Sequence, residues 1–462
     1  MKRPALTIAL AAAAALLPAA PSFAQASTDP LTGEQWAFSP SAIASIPGAW
    51  AVTRGEGIVV AVVDSGAKLD HPDLAPNTWT NFREVPGNQV DDDGNGYVDD
   101  VHGIDLTNTN PLDQTPDDED GHGTHVAGTI AGATNGKGVV GVAPKAKVMH
   151  VKVLDGQGRG TTSGVAEGVR YAAANGAKVI NMSLNGPSNT PDLQQAIQFA
   201  NSAGTLVICS AGNEGKDIDQ VPSFPVSLPE PNLIGVAATA PAGGGKSLAG
   251  ISNFGRLTVP IAAPGQEVLS ASKTGDYELR TGTSMATPHV AGVAALVAAV
   301  KPGISAPDLR SILLQNATAA SGVAVGSGYL DAAKAVAAAS GTPAYALAQK
   351  PVLKSLGAVA TKPKGGVSQF RGQFSLTGAI DGVAGYRLVV DKRTVATLTG
   401  QRSPFTVNLR LKTKKAPKRL QVIALDRARK PVTKVNVSIK VAATLPKKVG
   451  GGSGIARAWT AG

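Results

Sequence analysis

Cysteine is nearly absent from this chain: one thiol, Cys209, stands in 462 residues. No internal disulfide can form, so a buried core or a bound cation has to supply the stability. Cys209 follows the apolar run Leu206-Val207-Ile208, which predicts a buried strand residue and not a nucleophile. Aromatic residues make up only 4% of the chain. The Lys-rich stretch from Lys412 to Arg419 has none interleaved, so base stacking on nucleic acid is not indicated there. Long apolar runs are confined to the N-terminus, where Lys2 and Arg3 precede an Ala/Leu-rich run from Ala5 to Ala20. Small-residue cleavage sites follow at Ser22-Phe23-Ala24 and Ala24-Gln25-Ala26. This predicts a secretory signal over residues 1–24, and a secreted, extracellular or cell-surface location. The run is short and broken by Pro18, which argues against a membrane anchor, and no other segment is expected to cross a bilayer. No heptad repeat is visible, so a monomer is expected.

Acidic residues are scarce in one part only. From Gly341 onward, 23 Lys and Arg face 3 acidic residues, a net charge of +20, whereas residues 1–340 carry −10. That asymmetry predicts two units with different surfaces. In the first unit, Gly57 to Val63 is apolar and β-branched, the pattern of a strand buried on both faces. Similar runs lie at Lys147–Val153, Lys178–Met182, Leu206–Ser210 and Leu233–Ala237. Helical patterns occupy His122–Ala133, Ser163–Asn175, Pro191–Ala203, Ser284–Val300 and Ala306–Gln315. Alternating strands and helices predict an α/β fold, a parallel sheet with helices on both faces and its site at the carboxyl ends of the strands. This unit is expected to span residues 25–343. Scattered Pro, Gly and Lys make 344–368 a linker, and short alternating strands predict a basic β-sandwich over 369–441. That texture loosely resembles immunoglobulin-like modules of secreted bacterial enzymes. Residues 442–462 are expected to be a disordered tail.

Three segments carry the chemistry: Val-Asp-Ser-Gly around Asp64, Asp-Gly-His-Gly-Thr-His around His122, and Gly-Thr-Ser-Met-Ala around Ser284. They offer an acid, a base and a nucleophile among small residues that let a substrate backbone come close. A serine needs an adjacent base, and a histidine needs a carboxylate to hold its tautomer. Taken singly, each has a bland reading, as a turn carboxylate, a loop histidine and a helix cap. The chain order Asp, His, Ser, with these flanks, resembles the subtilisin-like serine proteases (subtilases) from about Ala49 to Ala335. The resemblance implies a serine endopeptidase that hydrolyses peptide bonds of polypeptide substrates through an acyl-enzyme on Ser284. It also implies an oxyanion donor at Asn213, in Ser210-Ala211-Gly212-Asn213-Glu214-Gly215. Ser183, Leu184, Asn185 and Gly186 match one wall of the pocket for the residue before the cut; Gly158, Arg159 and Gly160 match the facing strand. Backbone pairing there implies broad specificity. Arg159 is either a solvated charge or a preference for acidic or polar residues upstream of the cut.

Asp91-Asp92-Asp93-Gly94-Asn95-Gly96-Tyr97-Val98-Asp99-Asp100 sets oxygen ligands at alternate positions with a glycine sixth, like the first half of an EF-hand loop. Asp91, Asp93, Asn95 and Tyr97 are the candidate Ca²⁺ ligands. The usual twelfth-position glutamate is replaced by His102, and Asp100 is expected to substitute. The family resemblance implies a second calcium site from Asp29, Asp73 and Asn135 with backbone oxygens of Ala133, Lys137 and Val139. The acidic run Asp117–Asp120 before His122 is expected to be a solvated loop. Two other classes stay in view. One is a binding protein whose working part is the basic module, holding an anionic surface or polymer. The other is a serine esterase of another fold, which the lack of a Gly-x-Ser-x-Gly elbow at Ser284 disfavours. Ala26 to Ala51 leaves too little chain for a folding-assisting propeptide of usual size, so unaided folding, a separate chaperone and a shortened gene model are all open.

Overall fold

The computed structural model describes residue 27, residues 29–341 except 40, 109, 111 and 321, and in the C-terminal part the strands between 352 and 457. Residues 1–24, expected to be a secretory signal, lie outside the described residues. A short helix, α1 (Ile46–Ala49), precedes the first strand, β1 (Val59–Asp64). There follow β2 (Gly103–Asp105), α2 (His122–Ala131), β3 (Lys147–Lys152), α3 (Thr162–Ala174), β4 (Val179–Met182), α4 (Pro191–Ser202), β5 (Leu206–Ser210), β6 (Leu233–Ala240) and β7 (Ser247–Leu248). The unit closes with β8 (Ile261–Pro264), β9 (Val268–Ala271), β10 (Tyr277–Arg280), α5 (Thr283–Val300), α6 (Ala306–Gln315), β11 (Gly328–Tyr329) and α7 (Ala332–Ser340). The main sheet runs β11-β8-β6-β5-β4-β1-β3-β2 and is parallel along that path, with β7 added antiparallel to β6.

Alternation along β1 shows why the sheet is covered on both sides. Val60 and Val62 enter a core shared with α2, α5, α6 and α7, whereas Ala61 and Val63 enter a core shared with α3 and α4. Period-two side chains on a strand with no wet face must both be apolar. Cys209 lies wholly buried on β5, its thiol pushed up by burial. By length and composition α5 is apolar enough to cross a bilayer, contrary to expectation, but 83% of it is buried within the fold. It is a core helix, hydrophobic all round because other elements pack around it.

The C-terminal strands β12 (Val352–Thr361), β13 (Val367–Thr377), β14 (Gly385–Val390), β15 (Arg393–Thr399), β16 (Phe405–Lys412), β17 (Arg419–Leu425), β18 (Pro431–Ser438), β19 (Lys440–Ala442) and β20 (Ile455–Arg457) form two sheets, ordered β19-β12-β13-β16-β20 and β15-β14-β17-β18. Within 344–368, read as a linker, residues 352–361 form β12 and 367–368 begin β13, and the pair shifts register between Ser355 and Gly357. The tail read as disordered contains β20, which adds parallel to β16. A free strand edge recruits backbone of any composition, so no side-chain pattern announces it.

Candidate active site

The sheet order brings the motifs together. Strands β5, β4, β1 and β3 are neighbours, and the candidate residues follow their carboxyl ends: Asn213 after β5, Ser183 after β4, Asp64 at the end of β1, and Gly158–Gly160 after β3. Two helices begin here as well. His122 is the first residue of α2 and Ser284 the second of α5, and these helices pack on each other. Close approach demands small residues. A Cβ on Gly123 would lie 2.2 Å from the Gly66 carbonyl oxygen, so only glycine lets the first turn of α2 rest on the turn after Asp64.

Asp64 is 0% exposed, and its Oδ1 accepts from His122 Nδ1 at 2.7 Å and from the Ser65 N–H at 2.8 Å. Burial alone disfavours the charged imidazole of His122. The charge and hydrogen bond of Asp64 outweigh that, and the His122 pKa is raised above its ordinary value. Arg280 opposes this shift and Asp120 reinforces it. The hydrogen bond through Nδ1 leaves Nε2 of His122 to exchange a proton.

Ser284 Oγ donates to the Ser183 carbonyl at 3.0 Å, and no hydrogen bond among the described residues joins it to His122. The serine rests turned toward β4, and a rotation about its side-chain bond is what would direct it to the imidazole. Its N–H, in the first turn of α5, has no carbonyl within the helix to bond. Asn213 Oδ1 accepts from the Thr283 N–H at 2.8 Å and the Thr283 hydroxyl at 3.1 Å, so the NH₂ end of that amide is left to donate. Two donors therefore flank Ser284 where a helix N-terminus favours negative charge.

The proposed cleft walls differ in character. Around Gly158–Gly160, Asp155 draws the loop tight: its side chain accepts from the Gln157 and Arg159 N–H groups, and its own N–H bonds the Arg159 carbonyl. The Gly160 N–H has no partner among the described residues. Arg159 folds back onto Asp155 at 3.3 Å and onto Gln157. On the facing wall the Gly186 backbone pairs with Phe224, and Asn185 reaches Ser223.

The run Asp117–Asp120 is solvated in part, as expected from sequence: Asp117 and Glu119 are exposed, whereas Asp118 and Asp120 are half-buried. Asp118 accepts from the Ser65 hydroxyl, the Gly121 and Thr124 N–H groups and the Thr124 hydroxyl, and Ser65 Oγ in turn accepts from the Gly123 N–H. Lys152, 2% exposed, donates to the Ser65 and Asp117 carbonyls at 2.9 and 2.8 Å and pairs with Glu119. The acid turn and the base helix are thereby tied together. Sequence reasoning missed Ser65 and Lys152, whose partners lie 33 to 87 residues away.

In the acidic loop, Glu84, Asp93 and Asp100 converge, each offering an oxygen within 4.8 Å of the others. Glu84 was not foreseen; it also accepts from the Asp93 and Asp99 N–H groups. Burial, with neighbouring acids adding to it, raises the pKa of both Glu84 and Asp100. Asp91 is not in this group, whereas Asn95 touches it, its Nδ2 donating to Asp100 at 2.9 Å and its N–H to Asp93 at 3.1 Å. Asp91 accepts from the Asn95 and Gly96 N–H groups, and Tyr97 donates to Glu167 at 2.7 Å. The second expected set is gathered: Asp29 accepts from the Asn135 N–H, Asn135 Nδ2 donates to Asp73 at 3.0 Å, Val139 N–H donates to Asp73, the Ala133 N–H bonds the Asp73 carbonyl, and Lys137 N–H bonds Asn135.

Comparison with known proteins gives the same picture of the first unit. Residues 55–338 match the model of the subtilase family. Thermitase of Thermoactinomyces vulgaris is 39% identical over 293 residues, 63% of this chain and 92% of the relative. Subtilisin BL of Lederbergia lenta is 39% identical over 264 residues, 57% of this chain and 84% of the relative. A solved protease structure from Pseudoalteromonas arctica superposes with a TM-score of 0.55 at 35% identity, covering 68% of this chain and 99% of that one. The α/β fold, the motif order and these similarities together establish that the chain belongs to the subtilase family of serine endopeptidases.

Proposed function

We propose that this endopeptidase is secreted, is stabilised by calcium, and cleaves polypeptides of many sequences through an acyl-enzyme on Ser284. The observation that carries the catalytic part is the 2.7 Å contact of Asp64 with His122 on the sheet edge where α5 presents Ser284. His122 Nε2 takes the Ser284 proton as Oγ attacks the carbonyl carbon, and Asp64 stabilises the imidazolium. The oxyanion is met by the Asn213 NH₂ and the Ser284 N–H. His122 then gives the proton to the leaving amine, and water, activated by the same base, releases the acyl group.

Asn213 has two tasks, and substitution separates them. Asn213→Ala and Asn213→Asp each remove the oxyanion donor and are expected to lower kcat about 100- to 1000-fold with little change in KM. Asn213→Asp keeps an acceptor for the Thr283 N–H, so the alanine variant alone is expected to lose about 1 kcal/mol of stability as well. Equal kcat in variant and wild type would assign the oxyanion to other donors.

The donor set Glu84, Asp93 and Asp100 consists only of carboxylate oxygens, two of them buried, and suits a hard cation such as Ca²⁺. Asp29, Asp73 and Asn135 would hold a second. Bound calcium would screen the mutual repulsion of these acids and stabilise the fold by mass action. Hydrolysis of fluorescent casein tests this. Wild type with calcium is expected to cleave it, and excess chelator to lower both the melting temperature and the lifetime of activity. Unchanged melting would remove calcium from the account.

The +20 C-terminal part would act as a β-sandwich that holds anionic surface or polymer. The full chain carrying Ser284→Ala should bind a sulfated resin at low salt and elute as salt rises; no retention at low salt would end that reading.

A further inference from the structure

Pro288 lies inside α5, in its second turn. It has no N–H, so the carbonyl four residues earlier has no partner within the helix. That carbonyl belongs to Ser284. The Ser183 hydroxyl donates to it at 2.7 Å, and Asn181 Nδ2 donates to the same hydroxyl at 3.0 Å. Asn181 is 0% exposed and Ser183 3% exposed. With its oxygen taken by Asn181, the one proton of Ser183 is directed at Ser284. The first turn of α5 is thus held by the end of β4, through a bond that the helix cannot make for itself.

We propose that Asn181 and Ser183 are positioning residues for the nucleophile, joined to it across the hydrogen-bond gap that Pro288 opens. This rests on Ser284 being the nucleophile. The gap has a use. An unbroken helix would set Ser284 relative to α5, whereas the tether sets it relative to the segment Ser183–Gly186 that lines the cleft. Attacking oxygen and cleft wall then move as one body. Without the Ser183 hydroxyl, the Ser284 carbonyl and the Asn181 amide both lose a buried partner directly beneath the reacting atom.

A double-mutant cycle on the full chain tests the proposal, with kcat and KM for a chromogenic peptide amide and the rate of inactivation by a sulfonyl fluoride as readouts. Ser183→Ala is expected to lower kcat and the inactivation rate about 10- to 100-fold, the range for a buried hydrogen bond left unmade, with KM within about 2-fold. Ser183→Thr, which restores a hydroxyl, is expected to recover most of the loss. The decisive comparison uses Pro288→Ala. The N–H it restores can bond the Ser284 carbonyl, so Ser183→Ala in that background is expected to cost only a few-fold. Equal losses in the two backgrounds, or a loss confined to KM, overturn the proposal. If Ser183→Ala does not fold, Ser183→Cys, a weaker donor of similar size, enters the same cycle. Ser284→Ala is measured alongside. Activity surviving there removes the nucleophile reading and this proposal with it, whereas activity lost there with equal cycle factors removes only the positioning role.

Discussion

Replacing Ser284 by alanine is expected to lower kcat on a peptide amide by about a million-fold, leaving a small residual rate from the oxyanion donors and substrate binding. The fold should survive, because alanine suits the first turn of α5 and the Ser284 carbonyl keeps its bond from Ser183. The pH profile of the wild type completes the case. His122 must be neutral to act as a base, and Asp64 raises its pKa against the opposing effect of burial. Activity should therefore fall as pH drops through a point above the ordinary histidine value of 6.5. Asp64→Asn takes away the charge and permits the wrong tautomer, at a cost of about 10⁴-fold in kcat, and should move that limb to lower pH. Hydrolysis of a chromogenic peptide amide from pH 5 to 10 reads all three effects. A Ser284→Ala variant that kept a hundredth of the activity would place the nucleophile elsewhere.

Acid is expected to unfold this protein well before its carboxylates are neutralised. Three histidines are buried uncharged. Burial, with the Arg280 charge adding to it, takes His125 down to about 3, burial takes His150 to about 3, and burial takes His289 to about 4. His125 Nε2 bonds the Val268 and Glu278 carbonyls, His289 Nδ1 bonds the Met285 carbonyl, and neither ring nitrogen of His150 has a partner among the described residues. The unfolded chain takes up protons on these rings below about pH 6.5, whereas the folded chain does so only near pH 3 to 4. Their contribution is therefore whole above pH 6.5 and is lost as pH falls through that window. His122 has the opposite sign, its raised pKa favouring the fold below pH 6.5, and offsets a part. The buried carboxylates Asp73, Glu84 and Asp100, raised by burial, also oppose the histidines. For Ser284→Ala protein, which cannot digest itself, the three histidines together should cost roughly 5 kcal/mol between pH 7 and pH 5, less what His122 and the carboxylates return, against a whole stability of about 5–15 kcal/mol for many domains. Urea titrations at the two pH values measure it. His150→Leu should flatten the dependence by about a third; equal stability at both pH values would contradict the argument.

Much of the first unit was legible because the signals are local. Helix α6 was read to the residue, since Ser305 caps it, Pro307 opens it and Asp308 sits in its first turn. Strands β1, β3, β4, β5 and β6 announced themselves as mainly apolar runs, because a strand buried on both faces admits a polar side chain only where a specific partner or a function holds it. β2, β9 and β10 are short and partly polar and passed unread. In the C-terminal part, β12 falls within the stretch read as a linker, where Lys354, Ser355 and Gly357 interrupt the alternation.

The candidate acid, base and nucleophile stood out in the sequence for a related reason. Each stands in a run of small residues that the close packing of two helices and four strand ends requires, and that requirement writes itself into neighbouring positions. What the chain could not declare were the couplings. Glu84 joins Asp93 and Asp100, Lys152 ties Ser65 to Asp117, and Ser183 repairs the gap left by a proline 105 residues later. Such partners share no periodicity and no fixed spacing. Only the order of the strands in the sheet, a property of the whole packed core, decides which distant residues meet.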